Sequence, residues 1–243
     1  MPRPREEWKT YDDIFSRSTI NSLIKLAQRH VFSHIIGKIS MGKEAVVLSA
    51  TSELYGLVAI KVYMINTCNF RRMYEYLSQD NRYLKLPRNR QKIIYNWAER
   101  EYKNLEIAYR SNARVPMPIA VLNNIIVMEF IGDRNKGMPA QLLKNIRLEG
   151  RARQVYEEII ENYKKIYNQG LVHGDLSEFN ILLHEGKPIM IDFSQGTVEK
   201  SLNYLDLLKR DLEKISNYFS KYIDIDLEET ARRIGVWDIV KNL

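Results

Sequence analysis

The segment LVHGDLSEFNILL at 171–183 constrains the fold of this chain more than any other stretch. Asp175 and Asn180 lie five positions apart within an otherwise largely apolar run. A core segment ordinarily excludes an unpaired carboxylate, because removing its charge from water costs several kcal/mol. A partner, either a metal ion or a reacting group, is therefore expected to compensate Asp175.

A third polar residue is brought to the same place by a predicted hairpin. The hairpin is predicted to turn at Gly186-Lys187-Pro188, which folds Asp192 back beside Asn180. Amide and carboxylate oxygens are hard ligands suited to Mg²⁺, which takes its remaining ligands from water and substrate phosphates. Asp175 is then left to act as a base. The order H-x-D-x-x-x-x-N followed by a metal-binding Asp is the order found in kinases.

A lysine in an apolar strand is the second constraint. VAIKVY at 58–63 gives Lys61 apolar neighbours on both sides, as expected for a lysine that holds the α- and β-phosphates of ATP. A buried lysine needs an acidic partner. On the following predicted helix, Glu101 falls on the apolar face, whereas Glu99 points elsewhere. We therefore predict a Lys61–Glu101 ion pair, with Glu99 as the alternative.

A glycine-containing bend precedes the lysine strand. In GKISMGKEAVV, which starts at Gly37, Ser40, Gly42 and Lys43 lie near the bend. Such a bend can fold over a nucleotide so that backbone N–H groups meet phosphate oxygens. Two glycines alone are weak support for a phosphate-binding loop.

The segment VMEFIG at 127–132 is predicted to connect two lobes. Met128 is expected beside an adenine pocket, and the backbone of Glu129 and Ile131 is expected to hydrogen-bond the base. The order of glycine bend, strand lysine, helix glutamate, connector, Asp with Asn, hairpin and Asp is harder to obtain by chance than any single member. The series therefore predicts phosphoryl transfer.

Each of these residues also has an ordinary structural interpretation. His173 ends an apolar run and is expected to be a packed, hydrogen-bonded residue rather than a catalyst. Lys61 alone would be a snorkelling strand lysine, and Glu101 alone a solvated helix acid. Asp175 and Asn180 alone would be consistent with a turn satisfied by its own backbone. The functional prediction depends on the whole set.

Periodicity places the motifs on a coarse framework. A small accessory helix is predicted near the N-terminus, capped by Ser18 or Thr19. Three antiparallel strands are predicted between residues 35 and 63. Two more strands, joined at Asn123-Asn124, complete a sheet of about five strands.

The remaining segments are predicted as a loop and two long helices. Residues 69–92 carry Arg and Lys interleaved with Tyr and Phe but lack a sustained apolar period, which predicts a mobile basic loop. A helix at 93–110 follows. A second helix is predicted over 149–169, and Gly170 stands where it would end.

Composition bounds the class of protein. A formal net charge of +7 favours a polyanionic partner such as RNA or nucleotide, but 37 basic and 30 acidic residues also describe an ordinary mixed surface. Cys68 is the single cysteine, which excludes an internal disulfide and suits a reducing compartment. No secretory or membrane-spanning run is visible, so a cytoplasmic protein without membrane contact is expected.

The motifs resemble those of the Rio family of atypical serine protein kinases, most closely its first subfamily and an archaeal type of member. The resemblance extends in order from residue 37 to residue 197. It is carried by GKISMGKEA, AIKVY, WAEREYKNL, VMEFIG, HGDLSEFNILL and IDFSQGT. The most diagnostic of these is HGDLSEFN.

The resemblance implies an α+β fold of the trimmed bilobal protein-kinase type. It would have an accessory helical segment at 1–34 and an N-terminal lobe of about five strands plus a helix at 35–131. The flexible basic loop at about 69–92 falls within that lobe. A mostly helical C-terminal lobe at 132–243 would lack an activation loop and peptide-docking subdomains, because the chain after Asp192 is short.

The resemblance also implies function and site residues. It implies binding of ATP with Mg²⁺, for which Mn²⁺ is a substitute, together with ATP hydrolysis and autophosphorylation. It implies a monomer or weak oligomer that acts in small ribosomal subunit maturation and contacts rRNA through basic residues. The implied roles are the catalytic aspartate for Asp175, metal ligands for Asn180 and Asp192, the ion pair for Lys61 and Glu101, phosphate contacts for Ser40 and Lys43, and a phosphoaspartate at Asp192.

One departure from ordinary protein kinases bears on the chemistry. Ser177 stands two residues after Asp175, where those enzymes usually carry a lysine that steadies the γ-phosphate, so transfer to a hydroxyl is expected to be weak. Two alternatives to a Rio-type kinase remain at this stage. One is a small-molecule kinase of the aminoglycoside or choline type, and the other is an RNA-binding scaffold with residual nucleotide binding.

Overall fold

The computed structural model describes residues 15–243, and one antiparallel sheet forms the framework of its N-terminal lobe. Residues 1–14 of the predicted accessory segment lie outside the described residues. The strands are β1 (His34–Met41), β2 (Ala45–Ser52), β3 (Gly56–Tyr63), β4 (Pro118–Leu122) and β5 (Ile125–Glu129). Their order is β1-β2-β3-β5-β4, which confirms the predicted sheet of about five strands.

The two faces of β3 pack against different helices. Because side chains alternate along a strand, Val58, Ile60 and Val62 share one face and Lys61 and Tyr63 share the other. The valine and isoleucine face is buried in a core that includes residues of the N-terminal helix. The opposite face carries Lys61 towards the space between the lobes.

Helix α1 (Arg17–Gln28) covers the first face of the sheet. The predicted helix is present, but its cap is Ser16, whose hydroxyl accepts from the Thr19 amide. The prediction of Ser18 or Thr19 as the cap is therefore wrong, and the true cap lies two or three residues earlier. The apolar pattern starts only at Ile20, so it did not reveal the polar first residues of the helix. Thr19 instead accepts a hydrogen bond from Asn124 Nδ2 at 2.9 Å, which joins the β4–β5 turn to α1.

Residues 70–79 form helix α2 (Phe70–Gln79), so the prediction of a flexible basic loop over 69–92 is wrong for this part. Asn69 caps the helix, and Met73 and Leu77, four residues apart, are buried against the next helix. Tyr76 packs edge-on against Trp97 at 5.9 Å. Two buried positions in ten residues were too few to reveal a helical period beneath the exposed arginines.

Helix α3 (Arg90–Arg110) follows and starts three residues before the predicted 93–110. The Asn89 side chain caps it by accepting from the Lys92 amide. Its buried side includes Trp97, Glu101 and Leu105, which contact the second face of the sheet and the C-terminal lobe. The helix thus lies between both halves of the molecule.

The C-terminal lobe is mostly helical. Its strands are β6 (Gly132–Asp133), β7 (Met138–Pro139), β8 (Gln141–Leu142), β9 (Leu171–Val172), β10 (Ile181–His184), β11 (Lys187–Met190) and β12 (Thr197–Val198). Its helices are α4 (Ala152–Tyr167), α5 (Tyr204–Phe219), α6 (Leu227–Ile234) and α7 (Trp237–Val240), with a 3₁₀ turn at Leu143–Asn145. Helices α4 and α5 each supply seven buried apolar residues to its core.

The hairpin β10–β11 brings Asp192 back to Asn180. His184 pairs with Lys187, so the turn is formed by Glu185 and Gly186, not by Gly186-Lys187-Pro188 as predicted. Both turn residues have positive φ, 51° and 77°, as tight hairpin turns that match strand twist require. The Ile191 amide then donates to the Asn180 carbonyl at 2.9 Å.

In residues 15–243 no helix combines the length and the apolar character needed to cross a lipid bilayer.

Candidate functional site

A cavity of about 510 Å³ lies between the two lobes. Apolar side chains of the sheet, including Val47 and Ala59, form its upper wall, and Leu182 and Ile191 of the C-terminal lobe form part of its floor. Eight of the predicted site residues line it: Ser40, Lys61, Glu101, Met128, Glu129, Ile131, Asn180 and Asp192. Residues more than a hundred positions apart in sequence therefore meet in one pocket.

Lys61 links the two lobes at the back of this cavity. Its Nζ lies 2.7 Å from Glu101 Oε1 and 3.0 Å from Asp192 Oδ1. The Tyr63 hydroxyl donates to the second oxygen of Glu101 at 2.5 Å. Glu99 instead pairs with Lys103 on the exposed side of α3. The helix acid that meets Lys61 is thus Glu101.

The charges in this group perturb one another's pKa values. Burial lowers the pKa of Lys61, but the charges of Asp192 and Glu101 outweigh it, and the net pKa lies above the usual value. Burial raises the pKa of Asp192, but Lys61 outweighs it and lowers the value to about 2. The pKa of Glu101 is raised, because the upward effect of burial on it is larger than the downward effect of the Lys61 charge. Lys61 and Asp192 are consequently charged at neutral pH.

The partners of Asp175 answer the question that its sequence setting raises. Lys214 Nζ lies 2.5 Å from Asp175 Oδ1, and Oδ2 accepts from Asn180 Nδ2 at 3.2 Å and from Gln195 Nε2 at 3.1 Å. Both carboxylate oxygens therefore have donors. Asp175 lies in a second groove, of about 500 Å³, which shares Asn180 and Phe179 with the cavity between the lobes.

The backbone around Asp175 is held by a buried acid on α5. Asp211 is fully buried and accepts from the Gly174 amide at 2.7 Å and from the Leu176 amide at 2.8 Å. Tyr163 on α4 donates to the same carboxylate at 2.9 Å. Burial raises the pKa of Asp211 despite these donors. The loop segment that bears Asp175 is thereby fixed to two helices.

His173 is a structural residue, as predicted. Its ring is fully buried and packs on Phe193 with a centroid distance of 4.6 Å. Nδ1 accepts from the Asp175 amide, so the proton lies on Nε2, which donates to the Ile191 carbonyl at 3.0 Å. The histidine thus connects the Asp175 loop to the Asp192 segment.

Two backbone conformations bring these segments close together. Gly174 has φ +76°, and a Cβ at this position would lie 2.3 Å from the Gln195 carbonyl oxygen, so only glycine fits. Asp192 has φ +62°, which is uncommon for a residue with a side chain and recurs at functional sites. Because the backbone of Gly174 lies close to that of Gln195, the side-chain amide of Gln195 can reach Asp175.

The short segment after Asp192 is held by α3. Arg100 Nη1 donates to the Ser194 carbonyl at 2.9 Å, and Asn104 Nδ2 donates to the carbonyls of Phe193 and Gly196 at 2.9 and 2.7 Å. Arg100 also pairs with Asp80 at 2.8 Å, and both side chains are fully buried. A helix of the N-terminal lobe thus fixes the segment that follows Asp192.

The donor set suits a hard divalent cation. The Asn180 side chain uses its Nδ2 to contact Asp175, which leaves Oδ1 as the available oxygen. The Asp192 carboxylate is 38% exposed and uses Oδ1 for Lys61. One amide oxygen and one carboxylate match the few protein ligands that Mg²⁺ takes when phosphates supply the others.

Besides Asp175, two predicted site residues lie away from the cavity wall. Gly42 and Lys43 are exposed in the turn between β1 and β2, whereas Ser40 reaches the wall. The wall therefore contains only one of the three loop residues predicted to contact phosphate.

Sequence reasoning missed four residues of the site: Tyr63, Gln195, Asp211 and Lys214. Tyr63 shares the strand face of Lys61, and this i,i+2 relation was readable. Asp211 falls on the apolar face of α5 between Leu208 and Leu212, and an acid in that position indicates a buried role. Gln195 and Lys214 carried no local signal, because their contacts to Asp175 depend on how separate elements pack.

Comparison with known proteins identifies relatives of this chain. The family model described as the RIO domain matches residues 46–231. The RIO-type serine/threonine-protein kinase Rio1 of Haloferax volcanii is 35% identical over 219 residues, covering 89% of this chain and 73% of that protein. Rio1 of Methanocaldococcus jannaschii is 36% identical over 233 residues, covering 94% of this chain and 78% of that protein. The human serine/threonine-protein kinase RIO1 is 34% identical, and the match spans 38% of its length.

Solved structures share the fold. The Rio2 kinase of Chaetomium thermophilum superimposes with a TM-score of 0.67 at 20% identity, covering 92% of this chain and 71% of that one. A structure of the same Rio2 kinase as an ADP/Mg²⁺-phosphoaspartate complex gives a TM-score of 0.65, and the match covers 89% of this chain and 66% of that one. The likeness confirms a fold of the protein-kinase type.

Proposed function

The chain belongs to the RIO family of serine/threonine-protein kinases, and from this premise we propose that it binds Mg²⁺-ATP, transfers the γ-phosphoryl group and phosphorylates itself. One observation carries the proposal: Lys61 bridges Glu101 and Asp192 at the back of the cavity, while Asn180 lies between that cavity and Asp175. This is the arrangement that positions a triphosphate between two lobes.

The connector between the lobes has backbone groups suited to a base. The Glu129 amide donates to the Met117 carbonyl, and the Ile131 carbonyl accepts from the Ala140 amide. The Glu129 carbonyl and the Ile131 amide are therefore the groups that we expect to meet adenine. Met128 and Ala59 line the same part of the cavity and supply an apolar surface for the ring.

In the reaction, Lys61 holds the α- and β-phosphates, and Asn180 and Asp192 hold the cation. Mg²⁺, when bound, neutralises charge on the phosphates. Asp175, which lies in the groove beside the cavity, orients the acceptor hydroxyl and accepts the proton of that hydroxyl. Ser40 contacts a phosphate from the sheet side, and Gly42 and Lys43 would have to move inward to do so.

We also propose that Asp192 accepts the phosphoryl group in an ATPase cycle. The Rio2 neighbour was crystallised with a phosphoaspartate. Of the two cavity-lining carboxylates that pair with Lys61, the Asp192 side chain is 38% exposed, whereas that of Glu101 is 3% exposed. Attack of a carboxylate oxygen on the γ-phosphorus releases ADP and leaves an acyl phosphate, which water then hydrolyses.

The test is incubation of the full chain with [γ-³²P]ATP, with and without Mg²⁺. We expect Mg²⁺-dependent release of phosphate and labelling of the protein, part of which hydroxylamine removes because it cleaves acyl phosphates. Label that resists hydroxylamine would lie on hydroxyl groups. Absence of both products, or faster phosphorylation of an aminoglycoside or choline than of the protein, would contradict the proposal.

Replacing Glu101 with glutamine is expected to lower the transfer rate at least tenfold, because the Lys61–Glu101 pair must be in place for transfer. The variant should remain folded, because Lys61 keeps Asp192 as an ion partner at 3.0 Å and is not left as an unpaired buried charge. Glu99→Gln is the matched control on the same helix and should retain wild-type activity. Equal activity of the two variants would remove Glu101 from the mechanism.

A role in small ribosomal subunit maturation, through contact with rRNA, is the finer part of the proposal. Exposed basic residues on α2 and the segment after it, Arg71, Lys85 and Arg88, support it. Changing these three to serine should reduce the slope of log affinity for single-stranded RNA against log salt by about 2. Arg147→Ser with Arg151→Ser on the other lobe is the control. An unchanged slope would exclude this surface.

A further inference from the structure

A lysine of helix α5, which lies outside the HGDLSEFN segment, forms an ion pair with Asp175. Asp211 fixes α5 to the amides of Gly174 and Leu176, and Lys214 lies one turn further along the same helix. Its Nζ contacts Asp175 Oδ1 at 2.5 Å. The position of Lys214 is therefore fixed by the buried hydrogen bonds of Asp211 on the same helix, and not by a flexible loop.

The segment that bears Asp175 carries no cation at the position where ordinary protein kinases have one. Ser177 stands there, is buried, and accepts the Asn180 amide with its carbonyl at 2.9 Å. The ammonium of Lys214 occupies the neighbourhood of Asp175 instead, and its side chain is 39% exposed towards the groove.

We propose that Lys214 is a positioning residue for phosphoryl transfer, which takes the place of the cation missing at Ser177. The inference rests on the proposed function of Asp175 as the residue that orients the acceptor. Lys214 fixes Oδ1, while Asn180 and Gln195 fix Oδ2, so the carboxylate plane has one orientation.

The groove provides an internal control. Lys221 lines the same groove from the turn that follows the end of α5, but its Nζ lies over the Tyr218 ring at 5.7 Å and does not pair with Asp175. Both lysines give the groove the same charge. A difference between their variants therefore reports the contact with Asp175 rather than a general loss of positive potential.

The experiment compares Lys214→Ala, Lys214→Arg and Lys221→Ala in the full chain by single-turnover transfer from [γ-³²P]ATP and by ATP affinity. We expect Lys214→Ala to lower the transfer rate at least tenfold, because a misplaced catalytic group costs up to about 100-fold. ATP affinity should stay within about twofold of wild type, and Lys214→Arg should recover most of the rate. Lys221→Ala should retain it.

A second measurement tests the contact without nucleotide. A water-soluble carbodiimide activates carboxylates, and the adjacent amine then forms an amide with loss of the urea, so peptide mass spectrometry should find Asp175 joined to Lys214. Lys214→Arg cannot form this link. A missing link in the wild type, or Lys214→Ala with a wild-type rate, would overturn the inference and leave the proposed function standing. A wild type that forms the link but transfers no phosphate would contradict both.

Discussion

Replacing Asp175 with alanine is expected to lower phosphoryl transfer from ATP about 1,000-fold, in the middle of the range for a group that accepts a proton in the transition state. Asp175 is the carboxylate on which Lys214, Asn180 and Gln195 converge, so no neighbouring acid replaces it. Transfer should be measured in a single turnover with saturating Mg²⁺-ATP.

The same variant should bind ATP normally. Asp175 lies in the groove beside the cavity and not among the residues that line the cavity itself. Asp206→Ala, which removes an exposed acid from the first turn of α5, is the control and should leave transfer unchanged. If Asp175→Ala retained more than about a third of the wild-type rate, the acid–base role would be refuted.

The second large effect is expected on stability, from replacing Asp80 with asparagine. Asp80 and Arg100 form an ion pair in which both side chains are fully buried. Removing one partner of a buried pair leaves an uncompensated charge and costs about 3–5 kcal/mol. Asp80→Asn should reduce the free energy of unfolding by about that amount, measured by urea titration.

The pKa of Asp80 supports the sign of this prediction. Burial would raise it, but Arg82 and Arg100 outweigh burial and lower it below the usual carboxyl value. The ionised form is therefore favoured by folding, and its contribution is present at neutral pH and lost as the pH falls through the lowered pKa. Arg82→Ala, which removes the more exposed partner, is the control and should cost about 1 kcal/mol or less. Equal losses in both variants would contradict the buried-pair account.

Asp80 also shows where sequence reasoning stops. It lies within 69–92, for which the sequence predicts a mobile loop, yet it is joined to Arg100 and through it to the Ser194 carbonyl. Its partner is twenty positions away on another helix, and no local pattern marks such a pair. The exposed arginines of α2 also concealed the two buried positions that make the segment a helix.

The contacts that were predictable share a physical cause. Helix periodicity fixes which side chains share a face, so Glu101 follows from its place on the apolar face, and Lys61 follows from the apolar strand motif VAIKVY. The hairpin length fixed Asp192 beside Asn180, although the turn residues were misplaced by one or two positions. Lys214 and Gln195 reach Asp175 only through packing between elements, which a single sequence does not determine.

The central claim is that Lys61, Asn180 and Asp192 converge on one metal-bound triphosphate with Asp175 beside it. A crystal structure of the full chain with Mn²⁺ and a non-hydrolysable ATP analogue tests this most directly, because the anomalous signal of manganese locates the cation. The account predicts a manganese peak bound by Asn180 Oδ1 and the Asp192 carboxylate, with Lys61 at the α- or β-phosphate. A nucleotide bound outside the cavity between the lobes, or manganese held without Asn180 and Asp192, would contradict it.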